Sequence, residues 1–168
     1  LWSYPEIRPF IDGRCEAYSR EFWERTYVPA ASGLAWREVF EQYSIDAALI
    51  PLERGKALSR LARELYADGE WALVAFDDST LLFVNRRLKR ASFFARNEFA
   101  FIWPGDRELK GLDKHNAFAA EKEARRALDF DHQCVFARTA LARALLLGGK
   151  FDEAVSHYEW LVALPDAS

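Results

Sequence analysis

Apolar positions along the chain change their spacing several times, and each change predicts an element. Ile7, Phe10 and Ile11 form a short apolar run closed by Asp12-Gly13, which predicts a strand over residues 6–12 and a turn. Tyr18, Phe22, Trp23 and Tyr27 then recur at helical spacing and predict a helix over 16–28. Glu16 falls in its first turn, where a negative charge suits the helix dipole. Pro29 and Ser32-Gly33 should break that helix. Trp36, Val39, Phe40 and Tyr43 share one face of a second helix over 34–43. The run 45–50 reads as a strand buried on both faces, as strands of parallel sheets are, and Pro51 ends it. Leu58, Leu61, Leu65 and Tyr66 line a third helix over 55–67, stopped by Asp68-Gly69. Residues 71–76 and 81–84 are apolar runs around Asp77-Asp78-Ser79, a hairpin whose tip is the plain role for both aspartates.

The order β-α-α-β-α-β-β predicts an α/β domain over residues 1–86. It would be a small mixed sheet of about four strands flanked by helices, with right-handed crossovers between parallel strands. The aromatic stripes serve as core on this reading; exposed, the same Trp and Tyr side chains would form a sugar-stacking platform. Residues 87–111 carry the weakest period. A helix over 88–96 and the apolar run 99–103, broken by Pro104-Gly105, predict a linker packed on both of its neighbours.

From residue 112 the pattern repeats itself. Ala120, Ala127, Leu128 and Phe130 recur as Ala154, Leu161, Val162 and Leu164, a period of 34 residues that belongs to helical-hairpin arrays. Leu141, Ala142 and Ala144 line a first helix, Gly148-Gly149 turns it, and Phe151 to Ala154 open a second that carries Tyr158. Small residues at Ala142 and Ala154 allow close helix approach. This unit, 135–165, resembles a tetratricopeptide repeat, and residues 112–130 match only the second helix of an earlier one. About one and a half repeats is fewer than the three an array usually needs. The helical segment 112–168 should therefore lean on the α/β domain or continue beyond Ser168.

Composition narrows the function classes. With 23 basic and 26 acidic residues the net charge is −3, which leaves no electrostatic footprint for nucleic acid. The one dense basic run, residues 86–90, reads as a solvated helix start, with a membrane-surface or phosphate contact as the alternative. Cys15 and Cys134 fit no metal spacing; they are two buried thiols or, in an oxidising compartment, one disulfide. His115, His132 and His157 pair with no ligand at metal spacing, and no phosphate loop, nucleophile elbow or Cys/His dyad is present. No cofactor or metal is expected. No apolar run reaches bilayer length and no signal peptide is visible. The absence of Met and the Leu1-Trp2 start predict a piece of a larger protein.

One polar constellation stands out. Asp12, Arg14, Glu16 and Asp46 fall at or near the ends of predicted neighbouring strands, where open α/β sheets form ligand crevices. Arg14 would clamp a phosphate or carboxylate in bidentate fashion. The plainer alternative is a local ion pair, with Asp12 accepting backbone N–H groups in its turn.

An ordered set of motifs carries a wider resemblance. It comprises Tyr4-Pro5-Glu6, Phe10-Ile11-Asp12-Gly13-Arg14, Glu16, Tyr18, Trp36, Phe40-Glu41, Tyr43-Ser44-Ile45-Asp46, Leu49-Ile50-Pro51, Trp71, Asp77-Asp78 and Phe83-Val84. Across residues 1–86 this resembles the soluble C-terminal domain of bacterial polytopic membrane proteins related to dolichyl-phosphate-mannose and aminoarabinose type glycosyltransferases. Ser44 stands where those proteins usually have Gly. The resemblance implies a membrane-anchored parent with this part outside the cytoplasm, in the periplasm. It also implies catalytic carboxylates in loops between membrane spans, outside this chain, so the chain alone should not transfer sugar. The expected function is a non-catalytic accessory and protein-interaction module whose helical hairpin meets a protein partner through Leu145, Tyr158 and Trp160. The alternative is a glycan- or polyprenyl-phosphate-binding domain centred on Asp12, Arg14, Glu16 and Asp46. A self-contained hydrolase is the least supported class.

Overall fold

The computed structural model describes residues 9, 10, 18–52 and 57–164. The first helix starts at a serine cap: Ser19 Oγ accepts from the Phe22 N–H at 3.1 Å. Arg20–Phe22 (α1) continues through a π-helical turn, Trp23–Tyr27, into Val28–Ala31 (α2). Pro29 therefore does not break the helix as expected. The π turn ahead of it, where Val28 N–H bonds back to Trp23 O, widens the coil where a proline ring would meet the carbonyl four residues back. The helix ends instead just before Gly33, whose φ of 76° and close approach to Leu61 both require glycine; a Cβ there would lie 2.8 Å from Leu61 N.

Trp36–Gln42 (α3) buries Trp36, Val39 and Phe40. Their rings make edge contacts, Trp36 to Phe40 at 5.5 Å and Phe40 to Trp71 at 5.4 Å between centroids. Tyr43 leaves that face; it is 43% exposed and packs on Phe10 at 5.0 Å. Ser44, with φ of 53°, turns the chain into Ala47–Pro51 (β1). Arg60–Ala67 (α4) follows, capped by Ser59 Oγ on Ala62 N–H. Trp71–Phe76 (β2) and Thr80–Asn85 (β3) form the expected hairpin. Burial alone would raise the Asp77 carboxyl, but hydrogen bonds from Ser79 and Thr80 outweigh it and hold the group below its ordinary value.

The sheet among the described residues has three strands in the order β1-β3-β2, all antiparallel. This corrects the reading of 45–50 as a parallel strand buried on both faces. The hairpin strand β3 takes the centre, so β1 pairs only on one side. Ala48 and Ile50 point into the core while Leu49 is 69% exposed. Of the expected strand over 6–12, Phe10 lies in a bend and residues 6–8 and 11–12 fall outside the described residues. The fold is thus mixed α/β, with a small antiparallel sheet and a helical C-terminal region.

A short 3-10 turn, Arg86–Leu88, leads to Ala91–Asn97 (α5), three residues later than the pattern suggested. Two cations of the basic run are spent locally. Arg86 pairs with Glu98 and covers the Phe94 ring at 5.2 Å, and Arg87 Nε donates to Asp46 at 3.0 Å. Residues 99–103 then pass under Ala117–Phe130 (α6), with Phe99 and Ile102 buried. Buried Glu123 accepts the N–H groups of Ala100, Phe101 and Ile102 at 2.9 to 3.0 Å. One turn on, Arg126 donates to the carbonyls of Arg96, Asn97 and Glu98. Together these two side chains satisfy a stretch of backbone that has no ladder of its own.

Short connections then fold Val135–Leu147 (α7) back on α6 and Phe151–Val162 (α8) back on α7. The middle helix is packed from both sides: Ala137, Ala140, Leu141, Ala142, Ala144 and Leu145 are each at most 1% exposed. One apolar cluster runs from Trp36 and Phe40 through the sheet and Ile102 to Leu145 and Ala154. The hairpin tip reaches the same region. Asp78 accepts from Val135 N–H at 2.6 Å and Phe136 N–H at 3.1 Å, so it caps α7 from 57 residues away. No helix among the described residues is long and apolar enough to cross a membrane.

Candidate interaction face on the last helix

α8 carries apolar residues on two of its sides, and those sides meet different fates. The inner side docks on α7. Ala154 is 1% exposed, while His157, Trp160 and Leu161 are half-buried. The Arg138 guanidinium lies over the Trp160 ring at 3.9 Å and donates to the His132 carbonyl at 2.5 Å. Arg138 also stands 3.4 Å from His157 Nδ1. Burial first, and then the Arg138 charge, pull the His157 pKa below its ordinary value, so the ring is neutral near pH 7 and faces the cation as an acceptor.

The head of α8 is held by an ion network. Lys150 reaches both oxygens of Glu121 at 2.7 and 2.9 Å, and Arg125 bridges Glu121 and Glu153 at 3.0 and 2.5 Å. Burial alone would raise the Glu121 carboxyl; the ammonium and guanidinium outweigh it and lower the pKa. This network fixes the angle at which α8 leaves the core.

Among the described residues the outer side has no such partners. Phe151, Val155, Tyr158 and Val162 are 61%, 52%, 37% and 85% exposed, and their steps of four, three and four place them on one stripe. Moving each back by the sequence period of 34 lands on Ala117, Glu121, Ala124 and Leu128 of α6. Those four lie in the α6–α7 layer: the first three are at most 8% exposed, and Leu128 packs on the main core cluster. α6 and α8 also begin 34 residues apart. The corresponding face is therefore buried in one copy of the repeat and, among the described residues, exposed in the other. Along one edge of the bare stripe stand Asp152 and Glu159, both exposed, with no cation contacting either among the described residues.

The residues singled out from the sequence fare unequally. Asp12, Arg14 and Glu16 lie outside the described residues. Asp46 sits just before β1 and is engaged by Arg87. Leu145 is fully buried between α6, α7 and α8, so it is no part of any docking surface; the correction follows from α7 being the middle helix. Tyr158 is in the exposed stripe, and Trp160 lies on the opposite side under Arg138. Phe151, Val155 and Val162 were missed as site residues. Their four-three-four spacing was visible, but Ala154, Trp160 and Leu161 between them blurred the two faces.

A cavity of about 200 Å³ lies elsewhere, beside the stacked Tyr66–Trp103 pair and lined also by Asp106, Leu109 and Asn116. Asp106 accepts from Gly111 N–H, and Asn116 donates to Gly111 O and accepts from Asp113 N–H. Its polar side chains are thus occupied in closing the 106–116 loop. Among the described residues no group of three or more His, Cys, Asp or Glu side chains is placed to hold a metal ion. Cys134 is buried, and its thiol is pushed up to about 12, first by desolvation and then by the nearby Asp78 carboxylate. It is a packed, unreactive thiol.

Compared with known proteins, the chain matches no family model, no curated protein and no solved structure.

Proposed function

We propose that the chain is a protein-interaction module. Its helical segment, read as tetratricopeptide-like over 112–165, presents the α8 stripe to a partner, and the α/β part is the base that holds it. The observation that carries this is the contrast between α6 and α8. One face position is repeated at a 34-residue translation, buried in the first copy and exposed in the second. Four large apolar side chains along one helix are a costly feature to leave in water, at about 25 cal/mol for each Å² of apolar surface.

In the fuller form of the reading, the module is a non-catalytic, extracytoplasmic accessory of a membrane-anchored glycosyltransferase-like protein. The resemblance of residues 1–86 motivates that part. Ser44 departs from the glycine those proteins usually have there, at a φ of 53° that glycine adopts without strain.

The test is retention of partners from an extract of the source cells by the immobilised chain, beside Phe151→Ser/Val155→Ser/Val162→Ser. A protein held by the parent chain and lost from the variant, with both equally folded by circular dichroism, is the expected result. Identical retention by the two would refute the reading.

A further inference from the structure

We infer that the occupant of the α8 stripe is a basic amphipathic helix of another protein, packed along α8 with lysine or arginine along the edge that meets Asp152 and Glu159. The inference rests on the reading of α8 as an interaction face and names its partner's chemistry.

The stripe itself specifies a helix. Residues Phe151, Val155, Tyr158 and Val162 follow the four-three-four rhythm of a coiled-coil seam, and that spacing is symmetric about its midpoint. A helix laid on it buries one side chain at each step. The fold contains helix-on-helix packing of this kind, since α6 packs on α7, and the translated face on α6 is buried.

The edges of the stripe decide the partner's charge. One edge, at Ala154 and Leu161, is closed by α7. Only the other edge is open to a neighbour's flanking side chains, and there Asp152 and Glu159 stand one heptad apart, exposed. Flanking positions of this kind set partner choice in paired helices. Two acidic residues that meet no cation among the described residues favour Lys or Arg opposite them and disfavour acids. They also argue against a second copy of this chain. Two α8 helices packed antiparallel about the stripe's midpoint would set the Asp152 edge of one copy against the Glu159 edge of the other, like charge against like. Apolar area supplies the attraction and the acidic edge supplies the discrimination.

The experiment uses the full chain and two labelled, alanine-based synthetic helices. Both carry leucines at the four-three-four spacing; one has lysines and the other glutamates along one flank. Fluorescence anisotropy at low salt should show the lysine helix binding at least tenfold more tightly than the glutamate helix. That preference should weaken as salt rises. Asp152→Lys/Glu159→Lys should reverse it, with the variant's melting curve showing that both exposed substitutions leave the fold intact. Val155→Ser should weaken both helices. Equal binding of the two helices, failure of both to bind, or a dimer in sedimentation that Val155→Ser disperses would each overturn the inference. If both helices fail while an extract partner is still lost on Val155→Ser, the interaction face stands and only the partner class falls.

Discussion

Removing the Asp78 carboxylate should disconnect the hairpin tip from the helical segment and destabilise the whole chain. α7 begins at Cys134, whose thiol is a poor cap: its sulfur lies 3.4 Å from the Ala137 nitrogen. The strong acceptor comes from the hairpin. Asp78 takes the N–H groups of Val135 and Phe136 at 2.6 and 3.1 Å, one on each oxygen, and its negative charge sits at the positive end of the α7 dipole. Hydrogen bonds to a charged group contribute about 1.5–3 kcal/mol each. Val135 is partly exposed, so water replaces some of what is lost. Asp78→Ala should therefore cost about 2–4 kcal/mol, and Asp78→Asn, which keeps one acceptor but turns an amide N–H₂ toward a donor, about 1–2 kcal/mol. Urea unfolding by far-UV circular dichroism reads this as a lower midpoint at an unchanged slope. An Asp78→Ala midpoint corresponding to less than about 0.5 kcal/mol would show that the hairpin does not anchor α7.

Four further outcomes follow from the packing. Glu123→Gln should cost about 2–4 kcal/mol, because an amide cannot accept all three N–H groups of residues 100–102, and exchange of those three amides should accelerate. Leu145→Ala should cost about 2–5 kcal/mol, whereas Val155→Ala should stay within about 0.5, which urea midpoints separate at once. The pH profile has two limbs of opposite sign. Glu121 has a lowered pKa, so its contribution is present above its ordinary value of 4.5 and lost as pH falls below it; Glu121→Gln should shrink the acid loss of melting temperature. Burial raises Glu123 despite its backbone hydrogen bonds, so its contribution instead declines as pH rises through and above 4.5. Cys134, at about 12, should resist alkylation at neutral pH in the native chain and react once urea unfolds it, as mass mapping of the labelled peptide would show.

Much of the architecture is local and could be read from the chain. The Asp77 turn and the apolar faces of α3 and α4 each lie within a few residues of what they control. The 34-residue period was legible because it is written in small residues, Ala120 and Ala154 above all. What stayed hidden depends on partners far along the chain. β1 looks like a buried parallel strand because Ala47 and Ala48 count as apolar, yet its neighbour is the hairpin strand and Leu49 faces outward. Asp78 looks like a spare turn residue until α7 arrives beside it. Glu123 and Arg126 look like an ordinary polar edge of α6, and only the path of 96–102 shows them clasping backbone. At the candidate site the difficulty was opposite in kind. The stripe on α8 was present in the spacing, but a helix apolar on both sides does not declare which side a neighbour has already taken.

The claim at the centre of this account is that the α8 stripe meets another polypeptide. The most direct measurement is photo-cross-linking in living source cells, with a benzophenone amino acid placed at Val155 and, as a control, at exposed Arg63 on the polar side of α4. A discrete adduct of higher mass should form from position 155, lost when Phe151 and Val162 are also changed to Ser, and none from position 63. No adduct from 155, or the same adducts from both positions, would contradict that claim.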